Sequence, residues 1–196
     1  MQKAFYQKTF NIIRYLSIYA ILSIVLSFTF HILIFLLNNK IFSKRVTIIQ
    51  SKLHLISMLL LLIGILLFIL LSTLLIIELI DRYKTDKISN YIESVKQTMR
   101  LRYFLIQHEA SSPSANSFQR NQILRDFNKS LSNCIVDVRN ESVIVALKYP
   151  ASQQSQQIFR NMESHVKEEI SNYNPKFYFS SPERIGNRLF YKGSKR

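Results

Sequence analysis

A chain of 196 residues has room for a membrane anchor and one small domain, but not for several cores. Its formal charge is +14 and its mean hydropathy +0.08, which points to nucleic acid, anionic lipid or an acidic protein as partner, with plain solubility charge as the bland alternative. The single cysteine, Cys134, excludes an intrachain disulfide and a cysteine-built zinc centre and fits a reducing compartment. With Gly64, Gly186 and Gly193 as the only glycines, neither GxxxxGK[ST] nor GxGxxG can be written.

The average hydropathy conceals two halves. Residues 1–80 carry seven Lys/Arg and one acid, Glu78, whereas residues 81–196 carry nineteen Lys/Arg against eleven Asp/Glu. Tyr15 to Leu37 contains no Asp, Glu, Lys or Arg, and Leu55 to Ile77 is almost purely aliphatic. At about 1.5 Å per residue each run can cross a hydrocarbon core of roughly 30 Å. The first run is too long for the apolar region of a signal peptide and is followed by a second, so a transmembrane helical hairpin is expected over 1–80. Lys3, Lys8 and Arg14 precede it, Lys40, Lys44, Arg45 and Lys52 are expected in its loop, and Arg82, Lys84, Lys87 and Lys96 follow it. The excess of positives on the terminal side predicts a plasma-membrane protein with both termini and the soluble domain in the cytoplasm. The N-x-S matches at Asn128 and Asn140 matter only for the opposite topology. His31 reads as a neutral, hydrogen-bonded group in the first span, and Glu78 as a residue of the membrane edge.

Residues 81–110 read as a stalk, with an amphipathic helix over 86–109. Ile88, Ile92, Val95, Met99 and Ile106 recur at spacings of four and three, with Arg102 in the missing position. Such a seam pairs with a second copy, giving a homo-oligomeric stalk, or packs on the chain's own domain; the second is the commoner fate of an apolar stripe. Ser111-Ser112-Pro113-Ser114 breaks the helix and opens a linker over 111–117.

Residues 118–196 read as a basic α+β domain of order α-ββ-α-ββ with a mainly antiparallel sheet. Ser117 is the expected cap of a helix running to about Ser132 that carries Phe118, Leu124, Phe127 and Leu131 on one side. The period then drops to two: Cys134, Val136 and Val138 share one strand face, and Val143, Val145, Leu147 and Tyr149 the next, around a turn at Asn140-Glu141. Ser152 begins a second helix, with a stripe of Ile158, Met162, Val166, Ile170 and Tyr173 and with Phe159 at its edge; Asn174-Pro175 ends it. Lys176–Ser180 and Asn187–Lys192 are expected as the last two strands, joined by a turn over Pro182–Gly186.

No catalytic, cofactor-binding or metal-binding set emerges. His108 and His165 share no ligand-like spacing with Cys134, which alternates with valines as a buried structural thiol does. Glu163, Glu168 and Glu169 read as exposed helix carboxylates, and a non-enzymatic protein is expected. The remaining candidate is an anionic-partner surface of Lys176, Arg184, Arg188, Lys192, Lys195 and Arg196, interleaved with Phe177, Tyr178, Phe179, Phe190 and Tyr191. Basic groups beside exposed aromatics hold a phosphate backbone and stack bases. An anionic membrane surface is an equal competitor, and a hairpin with aromatics inward and charges outward needs no ligand at all.

Two N-terminal spans followed by a hairpin (NCIVDVRNESVIVALKYP), a helix (SQQSQQIFRNMESHVKEEISNYNP) and a second hairpin resemble the membrane-anchored front part of FtsK/SpoIIIE-type DNA-transfer coupling proteins of Gram-positive mobile elements. The resemblance is architectural, spans most of the chain and carries no catalytic residue, because the ATPase of that family is missing. It implies an anchoring or adaptor role in a transfer complex, with the lipid bilayer and a membrane-complex protein as partners. The reading from another class is a small membrane sensor or immunity-type protein whose spans do the recognising.

Overall fold

The computed structural model describes residues 5–37, 44–108 and 115–196. They form two compact units, Met1–Glu78 and Leu79–Arg196.

The first unit contains α1 (Phe5–Leu37) and most of α2 (Lys44–Thr85), both long and apolar enough to cross a membrane. Each outruns its expected apolar stretch, so Lys44, Arg45 and Lys52, expected in the loop, belong to α2. Lys40 lies outside the described residues. Small and polar groups line the contact between the helices, as in lipid, where apolar burial supplies little attraction between helices and close approach and hydrogen bonds must supply it. Ser23 Oγ donates to the Leu60 carbonyl at 2.6 Å and Ser27 Oγ to that of Ser57 at 2.9 Å. A Cβ on Gly64 would come within 2.8 Å of Ile24 Cγ1, so the crossing requires glycine there. His31 Nδ1 hydrogen-bonds Ser57 Oγ, and its ring centroid lies 5.9 Å from that of His54.

The second unit begins in the last turns of α2 and continues with α3 (Ile88–Leu105), α4 (Ala115–Leu131), β1 (Ile135–Val138), β2 (Ser142–Lys148), α5 (Gln153–Tyr173), β3 (Phe177–Phe179), β4 (Glu183–Ile185) and β5 (Arg188–Lys195). All strand pairs are antiparallel, in the order β1-β2-β5-β3, with β4 also on β5. Five strands replace the four expected, because Glu183–Ile185, read as turn, pairs with β5 around Gly186, whose φ of 60° suits glycine. β3 and β4 act as one interrupted strand. Pairing runs from Phe177↔Lys195 to Phe179↔Gly193, then resumes at Glu183↔Phe190 with a one-residue slip. That slip is a bulge, and Pro182, which has no N–H to donate, falls in it.

The alternation read from the sequence places Cys134, Val136, Val138, Val143, Val145, Leu147 and Tyr149 in one core, which Leu189 and Tyr191 of β5 join with Phe127, Leu131, Phe159, Val166 and Ile170. α5 starts as expected, with Ser152 Oγ accepting from the Ser155 amide at 3.3 Å. Its buried line centres on Ser155, Phe159, Val166 and Ile170, so Phe159 is a core residue and not an edge one. α4 begins at Ala115, two residues ahead of the expected cap Ser117.

Candidate interaction surfaces

The stalk expectation is corrected by the face α3 turns inward. The helix packs on its own unit, but its buried residues are Ser94, Gln97, Thr98, Leu101, Arg102 and Leu105, while Ile88, Ile92, Met99 and Ile106 stay exposed and Val95 is half-buried. The cause is the open edge of β1. Every second residue of an edge strand aims both its N–H and its C=O outward, and leaving these groups unpaired away from water costs about 1–3 kcal/mol each. Ser94 Oγ accepts from the Val138 amide at 2.8 Å; Thr98 Oγ1 accepts from the Val136 amide at 2.9 Å and donates to the Val136 carbonyl at 3.2 Å. Arg102 donates to the Cys134 carbonyl from Nε at 2.9 Å and from Nη2 at 2.7 Å. Asn90 extends the row, donating to Asn140 Oδ1 at 3.0 Å. Four residues of helix rise about 6 Å and two of strand about 6.6 Å, so Asn90, Ser94, Thr98 and Arg102 stay in step with Asn140, Val138, Val136 and Cys134. The four-residue spacing of these short polar groups was the available signal, and a search for apolar stripes passes over it.

A second feature the sequence reading missed lies at the root of this unit. Arg82 is fully buried; it donates from Nη2 to Asp137 Oδ1 at 2.7 Å and from Nη1 to the Val138 carbonyl at 3.0 Å. Arg139 approaches the other Asp137 oxygen at 3.6 Å. Burial pushes the Asp137 carboxyl above its ordinary value, against the pull of Arg139 and Arg82. Cys134 is also buried, and its thiol is pushed up to about 12 by desolvation, which the nearby Arg102 only partly offsets. This is an inert thiol.

The six basic residues of the C-terminal segment do not form one patch. Lys176, Lys195 and Arg196 gather at one end of β5, where the Arg196 amide donates to the Lys176 carbonyl at 3.0 Å. Arg184 and Arg188 lie at the opposite end, beside the β4–β5 turn, about 20–25 Å along the strand. Lys195 pairs with Glu141 at 2.8 Å, Lys192 with Glu183, and the Arg184 guanidinium stacks 4.3 Å over the Tyr149 ring. Of the interleaved aromatics, Phe179, Phe190 and Tyr191 are buried and Phe177 half-buried, leaving Tyr178 exposed. A row of stacking platforms is therefore not present on this hairpin.

His108 and His165 are exposed, and among the described residues no group of three His, Cys, Asp or Glu is placed to hold a metal ion. An open depression of about 430 Å³ lies between α4 and α5, with an apolar floor from Ile123, Leu124 and Ile158 and polar groups from Gln107, Arg120 and Gln157 around it. No family model, curated protein or solved structure matches this chain.

Proposed function

We propose that this protein is a non-enzymatic membrane-anchored adaptor. The observation that carries the reading is the contrast between its two units. In the best apolar windows of α1 and α2 only 17% and 6% of residues are buried, so these helices are not the core of a soluble fold and need an apolar surrounding. The second unit closes its own core and puts basic groups at both ends of β5. The positive flanks support insertion as a hairpin with both termini in the cytoplasm, and a plasma-membrane location is part of the same proposal. The recruited partner is a protein or nucleic acid, and the architectural resemblance to DNA-transfer coupling proteins supports a place in such a complex. Deleting Asp86–Arg196 should abolish partner capture from cells while leaving α1 and α2 in the membrane fraction; unchanged capture refutes the adaptor reading. For topology, the inert Cys134 leaves a Ser194→Cys variant as the one reactive thiol. Labelling of intact cells by an impermeant maleimide would place the domain outside and remove the DNA-transfer reading.

One observation favours the sensor reading. The Ser23, Ser27, Ser57, His31 and His54 row is more polar than a passive anchor requires. Replacing both helices with unrelated spans separates the two, because an adaptor keeps its function and a sensor loses it.

A further inference from the structure

We propose that the exposed stripe of α3 rests in the headgroup region of an anionic bilayer, which makes α3 an interfacial helix rather than a stalk. The inference depends on the membrane-anchor reading above and adds a surface to it.

Two faces of this helix have separate tasks. Ser94, Thr98, Leu101 and Leu105 are committed to β1 and the core. Ile88, Ile92, Val95, Met99 and Ile106 lie roughly 120° further round and, Val95 apart, are between 46% and 64% exposed. An apolar row of this kind, on a helix of a unit that has its own core, calls for an occupant.

Chain continuity and charge select lipid over a second copy. α3 starts at Ile88, three residues after α2 ends at Thr85, and the apolar run of α2 continues to Ile80. The stripe is thus tethered within about 20 Å of chain from where that run ends, at a high effective concentration of lipid surface. Lys84, Lys87, Lys96 and Arg100, the last stacked on Tyr173, are exposed around it, against Asp81 and Asp86 just before α3 and Glu93 on it. Two such faces repel each other, whereas an anionic surface attracts each of them. Tyr83 ahead of the stripe and Tyr103 near its far end, 78% and 79% exposed, add the amphipathic rings that favour the water–lipid boundary. A paired seam would also need an apolar side chain at Arg102, whose guanidinium is held by the Cys134 carbonyl. A fluid lipid surface imposes no register and tolerates the gap.

The full chain, reconstituted in phosphatidylcholine vesicles with one third phosphatidylglycerol, tests this. An environment-sensitive fluorophore is attached through Ile92→Cys or Met99→Cys; Leu62→Cys reports insertion, and Glu168→Cys, exposed on α5, serves as the water control. Spin-labelled lipid should quench the Leu62, Ile92 and Met99 probes and leave the Glu168 probe bright. Joint Lys87→Glu and Lys96→Glu changes should reduce quenching at Ile92 and Met99 only. A quenched Leu62 probe with water-like, unquenched Ile92 and Met99 probes overturns the interfacial helix and leaves the anchor standing. Ile92 and Met99 probes that are shielded from water and lipid and cross-link between copies overturn it in favour of a paired seam. An unquenched Leu62 probe removes the anchor reading and this one with it.

Discussion

Two amphipathic helices of the same unit treat their apolar stripes in opposite ways. α5 buries Val166 and Ile170, as periodicity predicts, together with Phe159, which was expected at the edge, whereas α3 buries Ser94, Thr98 and Arg102 and shows its isoleucines to the surroundings. The difference lies in what each helix covers. α5 lies over apolar strand faces, where area removed from water is stabilising. α3 lies along a strand edge, where unpaired backbone groups set the requirement and short polar side chains at four-residue spacing meet it. Burial on a helix is thus decided by the chemistry of the opposing surface, and an apolar stripe only proposes one answer.

The largest expected effect is on the α5 side of this contrast. Phe159→Ala removes a ring that is 1% exposed and packed edge-on against Tyr149 at 5.6 Å, and should cost about 3–5 kcal/mol. Denaturant unfolding of the full chain in mild detergent measures it. A cost below that of Thr98→Val would invert the ranking and undo the comparison.

The same core predicts an alkaline weakness. The Cys134 thiol rises from 9.0 to about 12 on folding because burial disfavours the thiolate. A group whose pKa is raised on folding contributes fully below its unfolded value and loses that contribution as pH rises through the folded one. Stability should therefore fall between pH 9.0 and about 12, by up to ~4 kcal/mol at the upper end. Cys134→Ala should flatten the part of this decline that begins near pH 9. Tyr191 is raised in the same direction by burial and Glu163, so a later decline should remain. A Cys134→Ala profile parallel to the parent's would remove the thiol as its cause.

On the α3 side, Thr98→Val keeps the shape and deletes the hydroxyl, leaving the Val136 amide and carbonyl without the partner they have at 2.9 and 3.2 Å. The expected cost is about 1–3 kcal/mol. An unchanged midpoint would mean that water replaces the hydroxyl and that the polar row does not hold the edge.

Element types and most of the strand alternation were legible in the sequence, since Cys134 to Val138 and Val143 to Leu147 write a period of two on the face that meets the core, although the other face of β1 is buried as well. The interruption between β3 and β4 was not. Pro182 and Gly186 signal a turn equally well whether or not Glu183–Ile185 pairs, and pairing depends on β5, which those residues do not encode. The basic segment misled for a related reason: neighbours in sequence along a strand point to opposite faces and spread over its length, so Lys176 and Arg184 end far apart. The Arg82–Asp137 pair had no local signal, because 55 residues separate its members.

The smallest effect sharpens the comparison most. Ile92 is 64% exposed, so Ile92→Ser removes little buried area and should change stability by no more than about 0.5 kcal/mol in detergent. The same substitution in α5, Ile170→Ser, buries a hydroxyl where Ile170 is 3% exposed and should cost several times more. If Ile92→Ser proves as costly as Ile170→Ser, the stripe of α3 is covered already, and the two helices differ only in which surface covers them. If it is neutral in detergent yet loosens the segment in anionic vesicles, seen as faster amide exchange over Ile88–Leu105, the stripe is stabilised by the bilayer, and the inversion of α3 relative to α5 is a division of labour between its two faces.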